Sequence, residues 1–143
     1  MKEQKEIRTI TEVTRATEGA GQLMDDALTA LHINVPEIRG MGLVSAEGLP
    51  IYVSMPQEWD SGGMDEDQAC AMVSGLVGIA ETSGARFRKK DFQKVTVKYA
   101  DGYFTAMRVN DNCYMFALTG GEVKLGVLYM NMEEAARQLA GVI

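Results

Sequence analysis

Asp65 to Gly84 reads DEDQACAMVSGLVGIAETSG: three acidic residues, then a run from Gln68 to Gly84 whose single charge is Glu81. At about 100° per residue, Ala69, Met72, Val73, Leu76, Ile79 and Ala80 fall on one stripe, the pattern of an amphipathic helix. Asp65 and Gln68 have the spacing of a capping box, and acidic residues suit the positive pole of a helix N-terminus. A helix with water on its other side would be polar there. This one carries Cys70, Ala71, Ser74, Gly75, Val77 and Gly78 instead. Two interior glycines cost about 1 kcal/mol each against alanine, so small size there points to close packing. Such a helix is either sandwiched inside its own domain or held between its own sheet and a partner. The second arrangement is the expectation. It turns the Met72/Leu76/Ile79 stripe to the sheet and offers the partner Cys70, Ala71, Ser74, Gly75, Val77, Gly78 and Glu81.

A chain of 143 residues fits one domain and can bury a real core. Its formal charge of −6 argues against a general nucleic-acid binder, which needs a basic surface to displace counterions. Cys70 and Cys113 sit in apolar runs with no Cys-x-x-Cys or Cys/His spacing, which suits buried thiols of a reducing compartment. No apolar run reaches a membrane span, and the N-terminus lacks a signal-peptide core. A cytoplasmic protein is expected.

Residues 1–18 are polar, with Ile7, Ile10 and Val13 at loose helical spacing; a frayed helix, a docking arm and a disordered tail all fit. They are set apart from a domain over 19–143. A helix is expected over Gln22 to His32, with Leu23, Ala27, Leu28 and Leu31 on its apolar side, ending before Pro36. Ile38 to Ser54 reads as two apolar runs around Glu47-Gly48, a hairpin signal. Neither run alternates cleanly, which suggests a sheet covered on both faces. Trp59 lies in the loop before the central helix, and after that helix Arg86, Arg88, Lys89 and Lys90 form the one local positive patch. They suit a helix C-terminus, and they also suit contact with an acidic partner.

Gln93 to Tyr99 alternates strictly, with Lys94, Thr96 and Lys98 on a polar side typical of a guarded edge strand. Asp101-Gly102 is a two-residue hairpin turn leading to a return strand over Tyr103 to Val109. Cys113 to Leu118 is apolar throughout and reads as a central strand. Thr119-Gly-Gly-Glu122 has capping-box spacing ahead of a last helix whose stripe is Leu125, Leu128, Met132, Ala135, Ala136 and Leu139. The order helix, two strands, helix, three strands, helix defines an α+β domain: a three-layer α/β/α sandwich around a mainly antiparallel sheet.

Residues that would carry chemistry are sparse. The chain has no G-x-x-x-x-G-K-[ST] phosphate loop, and Gly40-x-Gly42 lies inside a strand without the third glycine of a dinucleotide site. His32 is the only histidine, so neither a His-based metal cluster nor a nucleophile–His pair is supported. Asp65, Glu66 and Asp67 are explained by the first turn of a helix. A non-enzymatic protein without cofactor or metal is expected.

The stretches PEIRGMGLVSAEGLPIYVS, DEDQACAMVSGLVGIAE, VTVKYADGYFTAMRV, CYMFALTGG and KLGVLYMNMEEAARQLA together resemble the Roadblock family of longin-like domains, over about residues 20–143. The resemblance implies a five-stranded antiparallel sheet with the central helix on one face and the terminal helices on the other. It implies dimerisation in which central helices pair and the third strands, here carrying Lys94, Thr96 and Lys98, meet edge to edge. Members commonly regulate or scaffold Ras-like small GTPases, and the family shares no catalytic residues. The function expected is therefore a dimeric regulator or scaffold of such a GTPase, paired with itself or a paralogue, with Arg86, Arg88, Lys89 and Lys90 as candidate partner contacts. The alternative is a small-molecule sensory domain of PAS- or GAF-like type, which would need a cavity with convergent polar groups.

Overall fold

In the computed structural model, residues 19, 21–55 and 65–143 are described; Trp59 and the 1–18 segment lie outside them. The elements are α1 (21–34), β1 (Ile38–Ser45), β2 (Pro50–Ser54), α2 (Glu66–Arg86), β3 (Lys94–Tyr99), β4 (Gly102–Asn110), β5 (Cys113–Gly120) and α3 (Leu125–Leu139). The strands form one antiparallel sheet in the order β2-β1-β5-β4-β3. β2 and β3 are therefore its edges.

The interior strands are apolar on both sides because both sides are covered. Along β1 and β5, Leu43 and Met115 face a core shared with Leu28 and Leu31 of α1 and Leu128, Met132 and Leu139 of α3. Their neighbours Val44 and Phe116 face Cys70, Val73 and Val77 of α2. The period of two in a strand thus feeds two cores from one apolar run. Gly42 has no side chain for a packing reason: a Cβ there would lie 2.7 Å from the Phe116 ring and 2.6 Å from the Tyr52 carbonyl oxygen. Gly48, at φ +92°, makes the β1–β2 turn anticipated at Glu47-Gly48.

Three local expectations need correction. In α1 the buried stripe is Met24, Ala27, Leu28 and Leu31, and Leu23 is on the outer side. Thr119 does not cap the last helix. It pairs in β5 with Ile38 and Tyr103, its hydroxyl is buried without a partner, and α3 starts at Leu125 after Lys124 with no side-chain cap. The sheet ladder outcompeted a capping box of correct spacing. The third correction is the rotation of α2, which bears on the site.

Candidate partner-binding surface

α2 begins as its sequence prescribes. The Asp65 Oδ1 accepts from the Gln68 backbone N–H at 2.8 Å, and the Asp65 backbone N–H donates to Gln68 Oε1 at 3.1 Å. It ends with a feature that glycine spacing would not reveal. The Lys89 N–H donates to the Gly84 carbonyl at 2.7 Å and the Arg88 N–H to that of Ala85 at 3.2 Å. This is a Schellman closure, with Arg88 in the left-handed region at φ 59° where glycine is usual.

Between those ends the helix is turned differently from expectation. The sheet receives Ala69, Cys70, Val73 and Val77, all buried. Met72 is 51% exposed and Ile79 67% exposed, so the Met72/Leu76/Ile79 stripe is not the sheet-facing one. The physical reason is space. Phe116, Phe104 and Tyr114 rise from the sheet under α2, so the helix meets them with Ala69, Cys70, Val73 and Val77 and keeps the longer Met72 and Ile79 outside.

Several residues assigned to the partner side are consequently engaged inside the protomer. Cys70 and Val77 are buried in the core. Ser74 donates from its hydroxyl to the Ala46 carbonyl at 3.2 Å. Glu81 accepts from the Tyr114 hydroxyl at 3.4 Å and lies 4.0 Å from Arg108, which also pairs with Asp111. Burial, followed by the Glu81 charge, holds the Tyr114 phenol above its ordinary pKa. Ala71, Gly75 and Gly78 are exposed, and an added Cβ at either glycine would meet nothing within 4 Å.

The β3 side chains also turn out to be occupied. The Lys94 ammonium pairs with Glu133 of α3 at 3.0 Å and sits 4.7 Å over the Tyr129 ring. Thr96 shares hydrogen bonds with Thr105 at 3.0 Å and Tyr129 at 2.6 Å. Lys98 is exposed. The polar side of β3 is thus the α3-facing side, and what the edge has to offer is its backbone.

The cations after α2 are all exposed. Lys89 and Lys90 border an open groove of about 440 Å³ that also receives Lys94 and Arg108, over Phe92 and Val95. Phe87 stands 75% exposed among them. At the other end of α2, Met72, Tyr99, Met55 and Phe104 line an apolar hollow of about 170 Å³. Among the described residues no group of three or more His, Cys, Asp or Glu could hold a metal ion, and no helix is long and apolar enough to cross a membrane.

A five-stranded antiparallel sheet with one helix on one face and two on the other, whose single helix keeps an apolar outer side, defines the class: a longin-like α+β domain. The chain belongs to the Roadblock/LC7 domain family, whose profile matches residues 24–119. Among solved structures it is similar to a Roadblock/LC7 domain from Streptomyces avermitilis (TM-score 0.69, 23% identity, 79% of this chain and 91% of that one). It is also similar to the gliding protein MglB from Thermus thermophilus (TM-score 0.73, 12% identity, 85% and 88%) and to Myxococcus xanthus MglB (TM-score 0.69, 14% identity, 79% and 88%). No curated protein matches the chain.

Proposed function

We propose that this protein is a non-enzymatic, dimeric regulator or scaffold of a Ras-like small GTPase, acting through protein–protein contacts in the cytoplasm. The observation that carries the reading is the outer side of α2. Met72 and Ile79 expose large apolar surface about two helical turns apart, on a helix whose other side is packed on the sheet. Residues of this size left in water at such spacing suit a helix-to-helix contact. Membership of the Roadblock/LC7 family supports the GTPase partner, and the similarity to a solved MglB described by its tetrameric arrangement supports self-association. The partner copy would meet Ala71, Gly75 and Gly78 together with Met72 and Ile79, and the β3 backbone would extend the sheet.

The GTPase would approach the basic cluster Arg86, Arg88, Lys89 and Lys90, where charge mostly sets association rate. The sensory-domain alternative gains no support, since the space between α2 and the sheet is filled by Val44, Val73, Val77 and Phe116. The test is binding of the protein to GTP-loaded small GTPases of the same organism, followed by stopped-flow kinetics. The protein alone binds no GTP at micromolar concentration, because it has no phosphate loop. Arg88→Glu with Lys89→Glu slows association at low salt. Unchanged kinetics would remove the cluster from the interface, and absence of binding to every such GTPase would refute the reading.

A further inference from the structure

The most exposed large apolar side chain among the described residues, Phe87, lies inside the most basic stretch of the chain. We infer that the loop Arg86–Lys90, which closes α2, is a contact for an anionic lipid surface. Phe87 enters the interface of the bilayer, and the four cations around it meet lipid phosphates. The inference goes beyond the proposed GTPase contact, which uses the charges and leaves the ring without a role.

The loop reads RFRKK, and all five of its residues are exposed, Phe87 to 75%. Among the described residues none of Arg86, Arg88, Lys89 and Lys90 enters an ion pair. The neighbouring Lys94 is committed to Glu133, and Arg108 to Asp111 and Glu81. Asp91 is the one acid in the 86–91 stretch. The backbone fixes the arrangement. The N–H groups of Phe87, Arg88 and Lys89 donate to the carbonyls of Ser83, Ala85 and Gly84 at 2.9, 3.2 and 2.7 Å. Arg88 and Asp91 hold left-handed backbone at φ 59° and 57°, a region that non-glycine residues seldom occupy. The ring is thus held out of the protein by a loop of defined shape, which leaves little ordering to lose on contact.

An acidic protein surface would satisfy the charges. It would also need a preformed pocket for a ring that stands out among cations. A lipid surface yields around such a ring, and its phosphates lie in one layer just above the apolar one, so a single plane supplies both partners. The formal charge of −6 does not oppose this at close range. Screening confines each charge to about 8 Å at physiological ionic strength, so the cations nearest the surface count most.

The test is sedimentation of the wild-type protein with vesicles of phosphatidylglycerol and phosphatidylcholine in equal parts, against vesicles of phosphatidylcholine alone. The protein is expected to sediment with the first and stay in solution with the second, and about 0.5 M salt is expected to release it. A cation at an anionic surface is worth about fivefold in binding, so Lys89→Gln/Lys90→Gln loosens it about 25-fold. Phe87→Ser loosens it about tenfold or more. Arg88 is left unchanged because it sets the backbone. Entry of the ring is read separately. In Trp59→Phe/Phe87→Trp the only tryptophan is at position 87, and its emission shifts to the blue on the anionic vesicles and is quenched by brominated acyl chains. Sedimentation without that shift overturns the entry of the ring. A wild-type protein that stays in solution with the anionic vesicles overturns the whole inference. A Phe87→Ser protein of altered oligomeric state overturns it too, because the ring then belongs to a contact between copies. Slower GTPase association by Phe87→Ser, with no vesicle binding by the wild type, gives the ring to the protein partner and leaves the GTPase reading standing.

Discussion

Ile79→Ala separates the two rotations of α2 by sign and size. If Ile79 were packed on the sheet, truncation would leave a cavity and cost the protomer about 2–5 kcal/mol. The structure leaves Ile79 67% exposed, so only about a third of its side chain is buried in the protomer. Full burial of such a side chain is worth about 1.5–3 kcal/mol. The protomer therefore loses about 0.5–1 kcal/mol, and part of that returns through the better helix propensity of alanine. In the proposed dimer a second copy would bury the remaining two thirds, worth about 1–2 kcal/mol per protomer and about 2–4 kcal/mol for a two-fold interface that contains the residue twice. The dimer constant is then expected to rise about 30- to 700-fold. Sedimentation across a concentration series gives the constant, and denaturant unfolding of the dilute protomer gives the stability. A protomer destabilised by more than about 2 kcal/mol with an unchanged dimer constant would show that the helix presents the other face.

Arg88→Gly is expected to raise protomer stability by about 0.5–1 kcal/mol, since Arg88 holds a left-handed backbone that glycine adopts freely; urea unfolding of the two forms measures it, and a loss of stability would refute the strain. Burial pushes the Cys70 and Cys113 thiols up to about 11. A raised pKa means that the folded state holds these protons more tightly, so the contribution is fully present below the free-thiol value near 9 and declines as pH rises toward 11. Melting temperature followed from pH 8 to 11 should fall more steeply for the wild type than for Cys70→Ala/Cys113→Ala, and parallel curves would show that the thiols are not the cause.

The order of elements was legible because each segment declared itself locally. Glu47-Gly48 marked one hairpin and Asp101-Gly102 a second, whose two-residue turn lies one position earlier at Ala100-Asp101 because Gly102 pairs with Tyr99 as the first residue of β4; Asp65 with Gln68 started α2, and the two-sided apolar run of Cys113 to Leu118 marked an interior strand. The failures all occurred where tertiary contacts chose between equal local options. Thr119 to Glu122 satisfies the spacing of a capping box, yet pairing of Thr119 with Tyr103 and of Gly120 with Gly102 kept the segment extended. Lys94 and Thr96 resemble solvated guards of an edge, but they reach Glu133 and Tyr129 on a helix about thirty or more positions away in the chain. Arg88 gives no sign of a left-handed residue, because the Schellman closure is made by backbone atoms alone.

The rotation of α2 shows why the site itself was harder to read than the fold. A helix apolar on every side has no polar face to orient it, so periodicity offers two solutions and hydrophobicity favours the wrong one. Larger side chains contribute more burial, and a stripe of Met72, Leu76 and Ile79 looks like the core for that reason. What decides is the surface already presented by the sheet. Phe116 reaches up through the space that Gly42 leaves vacant, and Tyr114 and Phe104 stand beside it. Against those rings only small or β-branched residues fit, and Cys70, Val73 and Val77 provide them. Met72 and Ile79 are displaced outward, where they stay exposed in the protomer. In this chain Ala69, Cys70, Val73 and Val77 seat α2 on its own sheet, and Met72 and Ile79 stand exposed beside Ala71, Gly75 and Gly78.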